Sequence, residues 1–219
     1  MRSNGKWRIA GGLTQGIAIT HGDEGGAWAF TGSFNDGAMT ERFEVAPRQH
    51  SALILPMMDE LLHEAGLTLG ELDALAFARG PGSFTGLRIA AGMAQGMAFG
   101  AGLPVVPVST LAALAQGAVQ AYGVQQVLAV LDARMQEVYW GAYRCSAGGL
   151  VEALGEERLS APERVALPAG GRWSGAGSGW ASYAQLLGSG CGIGAADIHA
   201  GQQPHAGDVA RLAAAAFER

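Results

Sequence analysis

The residues best suited to chemistry stand together near the middle of the chain. The run Arg79-Gly-Pro-Gly-Ser-Phe-Thr-Gly-Leu-Arg88 follows an apolar strand pattern, Ala74 to Ala78, and opens directly into a helical pattern. Gly80, Gly82 and Gly86 permit backbone geometry that a Cβ hinders. Ser83 or Thr85 can cap the new helix by accepting from its first N–H groups. A helix start of this kind suits an anion, so Gly80, Gly82, Ser83, Thr85 and Gly86 form a candidate phosphate-binding loop. The same glycines serve equally well for close strand-to-helix packing, and spacing leaves both readings open. A Walker A loop is excluded: five residues separate Gly80 from Gly86 and no Lys follows.

Other reactive side chains form no comparable constellation. His21, His50, His63, His199 and His205 include no H-x-x-x-H pair, so a helical metal site is not expected. Ser83 does not sit in a G-x-S-x-G elbow. Asp132 and Glu137 flank a turn, where solvated acids are ordinary. Cys145 and Cys191 form neither a C-x-x-C pair nor a metal cluster, and nothing in their spacing favours a disulfide. No residue is assigned as catalytic or as a metal ligand.

The elements that position these residues follow from periodicity. Gly92, Gly96 and Gly100 recur every four residues after the glycine loop, so they line one face of the helix expected over 85–100. Each costs about 1 kcal/mol relative to Ala in a helix interior. Such a stripe admits another backbone closely, either the chain's own sheet or a helix of another subunit. Upstream, Leu53, Ile54, Met57, Met58, Leu61 and Leu62 give a broad apolar face to a helix running to about Ala65, with Pro56 bending it unless it lies in the first turn. Its ordinary use is the chain's own core, though the methionines also suit an adaptable interface.

Thr68 to Glu71 fits a capping box. A strand is expected at Val105 to Val108, a helix capped by Ser109 over Thr110 to Tyr122, and a central strand at Val127 to Leu131. Asp132 to Gln136 turns the chain into a strand over Glu137 to Arg144. There Val138, Trp140 and Ala142 face one way, Tyr139, Gly141 and Tyr143 the other. Before the first helix, residues 19–34 carry weak strand signal, Asp36-Gly37 reads as a hairpin turn, and Met39 to Val45 as a returning strand. Late in the chain, Pro162 to Val165 opens a helical turn and Trp173 to Trp180 reads as a glycine-rich loop. Helices are expected at Trp180 to Leu187 and at Asp208 to Phe217, the latter capped by Asp208. No tandem repeat of constant period is present. Strands alternating with helices place the chain in the α/β class.

The totals narrow the function. The chain has 219 residues, 49% hydrophobic and 15% charged, with a net charge of −5. This is a folded protein without the basic footprint of a nucleic-acid binder. No signal peptide and no apolar run of about 18 residues is seen, which makes a cytoplasmic location the default.

The segment Ala76-Phe-Ala-Arg-Gly-Pro-Gly-Ser-Phe-Thr-Gly-Leu-Arg-Ile-Ala90 resembles the TsaB (YeaZ) family. The resemblance continues in Pro104-Val-Val-Pro-Val-Ser-Thr-Leu111, in Leu131-Asp-Ala-Arg-Met-Gln-Glu-Val-Tyr139, in Phe43 to His50 and in Ile54 to Met57. It implies an actin-like (ribonuclease H-like) two-lobed α/β fold with mixed sheets flanked by helices. The lobes would be 1–109 and 110–206, with 207–219 returning to the first. It further implies a non-catalytic scaffold paired with the TsaD transferase, or with itself, and an assembly completed by TsaE, an ATPase. ATP would be used by that complex, and tRNA met through it. By the match, the pairing face includes the 50–65 and 85–100 helices, with Arg48, His50, Leu53, Met57, Leu61, Gly92, Met93 and Gly96 as candidates. Residues 1–34 depart from the family pattern. Asp23 falls where the family has an Asp-Thr-x-Thr loop but is followed by Glu-Gly-Gly, His21 and Gly22 weaken the strand before it, and a shifted frame is one explanation. The chain also stops at Arg219, before the family's usual tail. A nucleotide phosphotransferase using the glycine loop is the main rival, and a peptidase a remote one.

Overall fold

A computed structural model describes residues 15–21, 28–35, 38–45 and 50–217. Two mixed sheets dominate it. The first has the order β3-β2-β1-β4-β5, built from β1 (Gln15–His21), β2 (Trp28–Asn35), β3 (Ala38–Val45), β4 (Ala74–Ala78) and β5 (Val105–Val108). Strands β1, β2 and β3 pair antiparallel, whereas β1, β4 and β5 run parallel. Pro107 lacks a donor for a ladder, and β5 is accordingly an edge strand.

The second sheet repeats this plan. Strands β6 (Gln126–Arg134), β7 (Glu137–Cys145) and β8 (Val151–Ala153) pair antiparallel, while β6, β10 (Ser174–Ala176) and β11 (Ile198–His199) run parallel. Its order is β11-β10-β6-β7-β8, with β9 (Arg158–Ser160) also paired to β7. Read outward from its own first strand, each sheet has the same order and senses. This is the α/β class expected, with two mixed sheets of actin-like arrangement.

Five helices layer the sheets: α1 (His50–Ala65), α2 (Phe84–Ala101), α3 (Thr110–Tyr122), α4 (Ser178–Cys191) and α5 (Ala206–Phe217). Strand alternation assigns the faces. Leu75 and Phe77 of β4 pack with α1 and α2, while Ala76 and Ala78 join the α5 cluster of Ala206, Val209, Ala210 and Ala213. Val127, Ala129 and Leu131 of β6 meet Leu111, Leu114, Ala115 and Ala118 of α3, while Leu128 and Val130 meet Trp180 and Leu187 of α4. Helices α3 and α5 touch, so together they fill the space between the sheets. The split of β7, with Val138, Trp140 and Ala142 on one side and Tyr139 and Tyr143 on the other, is the expected one.

Several local readings change. Residues 15–21 form the centre of the first sheet despite their weak strand pattern, because β2 and β4 supply partners on both sides. Asp36-Gly37 lies outside the described residues, between paired Asn35 and Ala38. The 173–180 segment is not a loop: Ser174–Ala176 is a buried strand, and α4 starts at Ser178. Its glycines serve close approach. A Cβ on Gly175 would lie 2.3 Å from the Trp180 indole, whose Nε1 donates to the Leu128 carbonyl at 3.2 Å. Pro56 lies beyond the first turn of α1, inside the helix. Cys145 and Cys191 are free thiols.

Asp208 does not cap α5 either. It is the third residue of the helix, 5% exposed and paired with Arg211 at 3.3 Å. The cap comes from β3, where Glu41 accepts from the Gly207 N–H at 3.2 Å and meets His205 Nδ1 at 3.3 Å. Burial would raise Glu41, but the His205 and Gly207 hydrogen bonds and the His205 charge hold its carboxyl below the usual range. The hydrogen bond to Glu41 raises His205 against burial, and the charges of Glu41 and Asp208 add to that rise. Burial pushes Asp208 up to about 6, outweighing Arg211 and His205, and the Glu41 charge adds to it.

Asp208 therefore binds its proton more tightly folded than unfolded. The stability it contributes is complete below its ordinary 3.8 and is lost as pH rises to about 6. Over that window the unfolding free energy of Asp208→Asn should gain on the wild type, as measured by urea denaturation at stepped pH. A difference independent of pH would contradict the burial of a charged Asp208.

Candidate partner face and glycine loop

The glycine loop is fastened at both ends. Arg79 N–H donates to the Val108 carbonyl at 2.8 Å, and the Gly80 carbonyl accepts from Thr110 N–H at 2.8 Å. Gly80 has φ +105, and a Cβ there would lie 3.2 Å from a Leu87 methyl, so this position needs glycine on both counts. Ser83 is the N-cap of α2: its hydroxyl accepts from Gly86 N–H at 3.4 Å, and its carbonyl from Leu87 N–H at 2.9 Å. Gly80 and Gly86 are buried, Gly82 and Ser83 half-buried, and Thr85 exposed. Ser83 and Gly86 thus satisfy one another at the position proposed for an anion.

Behind the loop lies a polar clasp that sequence reasoning missed. Glu157, between β8 and β9, accepts from the Ser109 hydroxyl and from Tyr143 Oη, the latter at 2.6 Å. Arg79 Nη2 stands 4.0 Å from the same carboxylate. Burial, then the charge and hydrogen bond of Glu157, push the Tyr143 phenol upward, so it stays a donor. Ser109 also caps α3, accepting from Ala112 N–H at 3.2 Å. Four segments far apart in sequence meet here, and no spacing rule could have joined them. Asp132, by contrast, braces its own turn: it accepts from Arg134 N–H at 2.8 Å and from the Ser182 hydroxyl at 3.0 Å.

Helix α2 has two unlike faces. Ala90, Ala94 and Ala98 are buried on the first sheet. Gly92, Gly96 and Gly100 point away from it, and a Cβ on any of them would meet nothing within 4 Å among the described residues. Close packing on the chain's own sheet is therefore not what these glycines serve. Phe99, 92% exposed, shares their face, and the Arg88 guanidinium lies 3.8 Å from the ring centroid of exposed Phe84 at its start. Phe99 was legible, standing seven residues after Gly92. On α1, Met57 and Leu61 are 7% and 1% exposed and belong to the core, with Leu53 half-buried beside them. Met93 is half-buried against that core. His50 begins α1, and Arg48 lies outside the described residues.

With this geometry, comparison with known proteins is informative. Residues 43–197 match the family model described as TsaD, tRNA N6-adenosine threonylcarbamoyltransferase. The tRNA threonylcarbamoyladenosine biosynthesis protein TsaB of Escherichia coli is 44% identical over 156 residues, 70% of this chain and 68% of that one. The chain belongs to the TsaB family. TsaB of Haemophilus influenzae is also 44% identical, over 68% of this chain and 67% of its own. The solved structure of YeaZ from Pseudomonas aeruginosa superposes with a TM-score of 0.82 at 40% identity, covering 94% of this chain and 92% of that one. Among the described residues no helix is long and apolar enough to cross a membrane.

The clasp makes a quantitative prediction for this TsaB-family chain. Tyr143→Phe takes one donor from a half-buried carboxylate and should cost about 0.5–1.5 kcal/mol in urea unfolding. Combined with Glu157→Ala, the two losses should fall short of additive by at least about 0.5 kcal/mol. Additive losses would mean that the two residues do not act together.

Proposed function

We propose that this chain is the non-catalytic scaffold of tRNA threonylcarbamoyladenosine formation, pairing with a TsaD-type transferase through the outer face of α2. Its role in that biosynthesis rests on its TsaB relatives. The observation that carries the pairing is the outward stripe of Gly92, Gly96 and Gly100 with Phe99. Three glycines weaken the free helix by about 1 kcal/mol each and return nothing among the described residues. A second helix laid along them would recover that cost through backbone approach and by covering an exposed phenylalanine. Met93 follows Gly92 on α2, and Leu53, like Met93, packs partly buried against the core cluster under that helix; His50 and Arg48 are partner candidates by the family resemblance alone. Met57 acts from beneath, in one core cluster with the inner alanines of α2, while Leu61 is buried and serves the fold. A second copy of the chain could use the same face.

The wider proposal has an ATP-using TsaE-type partner, tRNA reached through the complex, a cytoplasmic location, and lobes divided near 109/110 with α5 returning to the first. The rival phosphotransferase reading needs Gly80, Gly82, Ser83, Thr85 and Gly86 to hold phosphate. The mutual satisfaction of Ser83 and Gly86 weighs against it, and an ATP titration separates the two.

Co-purification with a cognate TsaD-type subunit, followed by sizing, tests the pairing. Wild type should form a heterodimer, and Gly92→Leu/Gly96→Leu should lose it. Gly92→Ala/Gly96→Ala should also weaken it, yet stabilise the free chain by about 1 kcal/mol per site. Alanines that leave pairing intact, or a folded chain that never pairs, would overturn the proposal.

A further inference from the structure

A hollow of about 540 Å³ opens beside the parallel strands of the second sheet. The last residue of α3, the approach to β6, the start of β10 and the turn into β11 enclose it. Its lining includes Tyr122, Gln125, Arg172, Ser174, Asp197 and His199. None of these belongs to the α2 face, the glycine loop or the Glu157 clasp. The volume lies in the range of small-molecule sites, roughly 300–1,000 Å³.

The walls are chemically distinct. The Tyr122 and His199 rings stack with centroids 3.7 Å apart and planes 5° from parallel. Tyr122 is exposed, so this rigid aromatic platform meets solvent at the hollow. Arg172 Nη2 and Asp197 Oδ1 pair at 2.7 Å, placing donor and acceptor groups side by side with little net charge. Ser174 is 3% exposed yet lines the hollow, a buried polar residue at the base of an open space. Burial lowers His199, against the charge of Asp197, which favours the neutral imidazole.

An aromatic platform beside paired donors and acceptors, with compensated charge, suits a flat neutral ring with a mixed polar edge. A simple anion would face the Asp197 carboxylate, and an aliphatic ligand would leave the polar groups unmatched. We propose that this hollow binds a nucleobase, stacked on the Tyr122–His199 platform with its polar edge toward Ser174 and the Arg172–Asp197 pair. The site does not depend on pairing through α2, and it is remote in sequence from the glycine loop of the phosphotransferase reading.

Calorimetric titration of the full chain with adenosine, uridine and inorganic phosphate tests this. Both nucleosides should bind, since stacking tolerates either base, and phosphate should not. Tyr122→Ala should weaken nucleoside binding roughly tenfold or more, while Tyr122→Phe should keep it. Thermal melting shows whether the alanine variant is folded. If it is not, Arg172→Ala, on an exposed side chain, takes its place and should also weaken binding. Absence of nucleoside binding at millimolar concentration, equal binding by the folded variants, or competition by phosphate alone would each overturn the proposal. Heterodimer formation by Tyr122→Ala separates its failure from that of the scaffold reading.

Discussion

The molecule depends on how closely α3 and α5 can lie between its two sheets. That layer is made of small residues: Ala113 on α3, Ala206, Ala210 and Ala213 on α5, and Ala76 and Ala78 on the strand beneath. Gly117 completes it, since a Cβ there would fall 2.7 Å from an Asp208 carboxylate oxygen and 2.6 Å from the Gln202 amide. Interiors are packed to crystal density, so even one added methyl is felt. The abundance of alanine and glycine is thus the physical condition for bringing two sheets and two helices onto one axis.

Around this layer the chain uses polar contacts sparingly and where segments must be fixed. Glu41 holds the start of α5 to the edge of the first sheet. Glu157 gathers Ser109 and Tyr143, with Arg79 close by, near the passage from β5 to α3. Both carboxylates are half-buried and tied to partners that relieve the cost of partial desolvation. The Arg42 guanidinium plays a lesser part at the surface, pairing with Glu60 and Glu64 on α1, where such bridges contribute little.

The outer face of α2 obeys a different logic. Its inner alanines and outer glycines share a four-residue period, and composition does not say which faces the sheet. Burial does: the alanines are covered, and the glycines pay an entropic cost that no described residue offsets. That asymmetry, within a family that serves tRNA modification, gives the scaffold reading its surface.

By itself the sequence determined the local elements. Strand Ala74–Ala78, the Ser83 and Ser109 caps, strand Val105–Val108 and the β6–β7 hairpin were legible, because alternation, capping and turn chemistry act over a few residues. The TsaB resemblance was legible because the 76–90 and 131–139 motifs are contiguous. Only tertiary structure decided the rest. Residues 15–21 become a central strand through partners distant in sequence, and the glycines of 174–179 are strand and helix because an indole and neighbouring strand β6 press against them. Asp208 gives up its expected cap to Glu41, 167 positions earlier than itself in the numbering, and the repeated sheet order has no repeated sequence behind it. Pairing, burial and close approach depend on what lies opposite a residue, which neighbours along the chain do not specify.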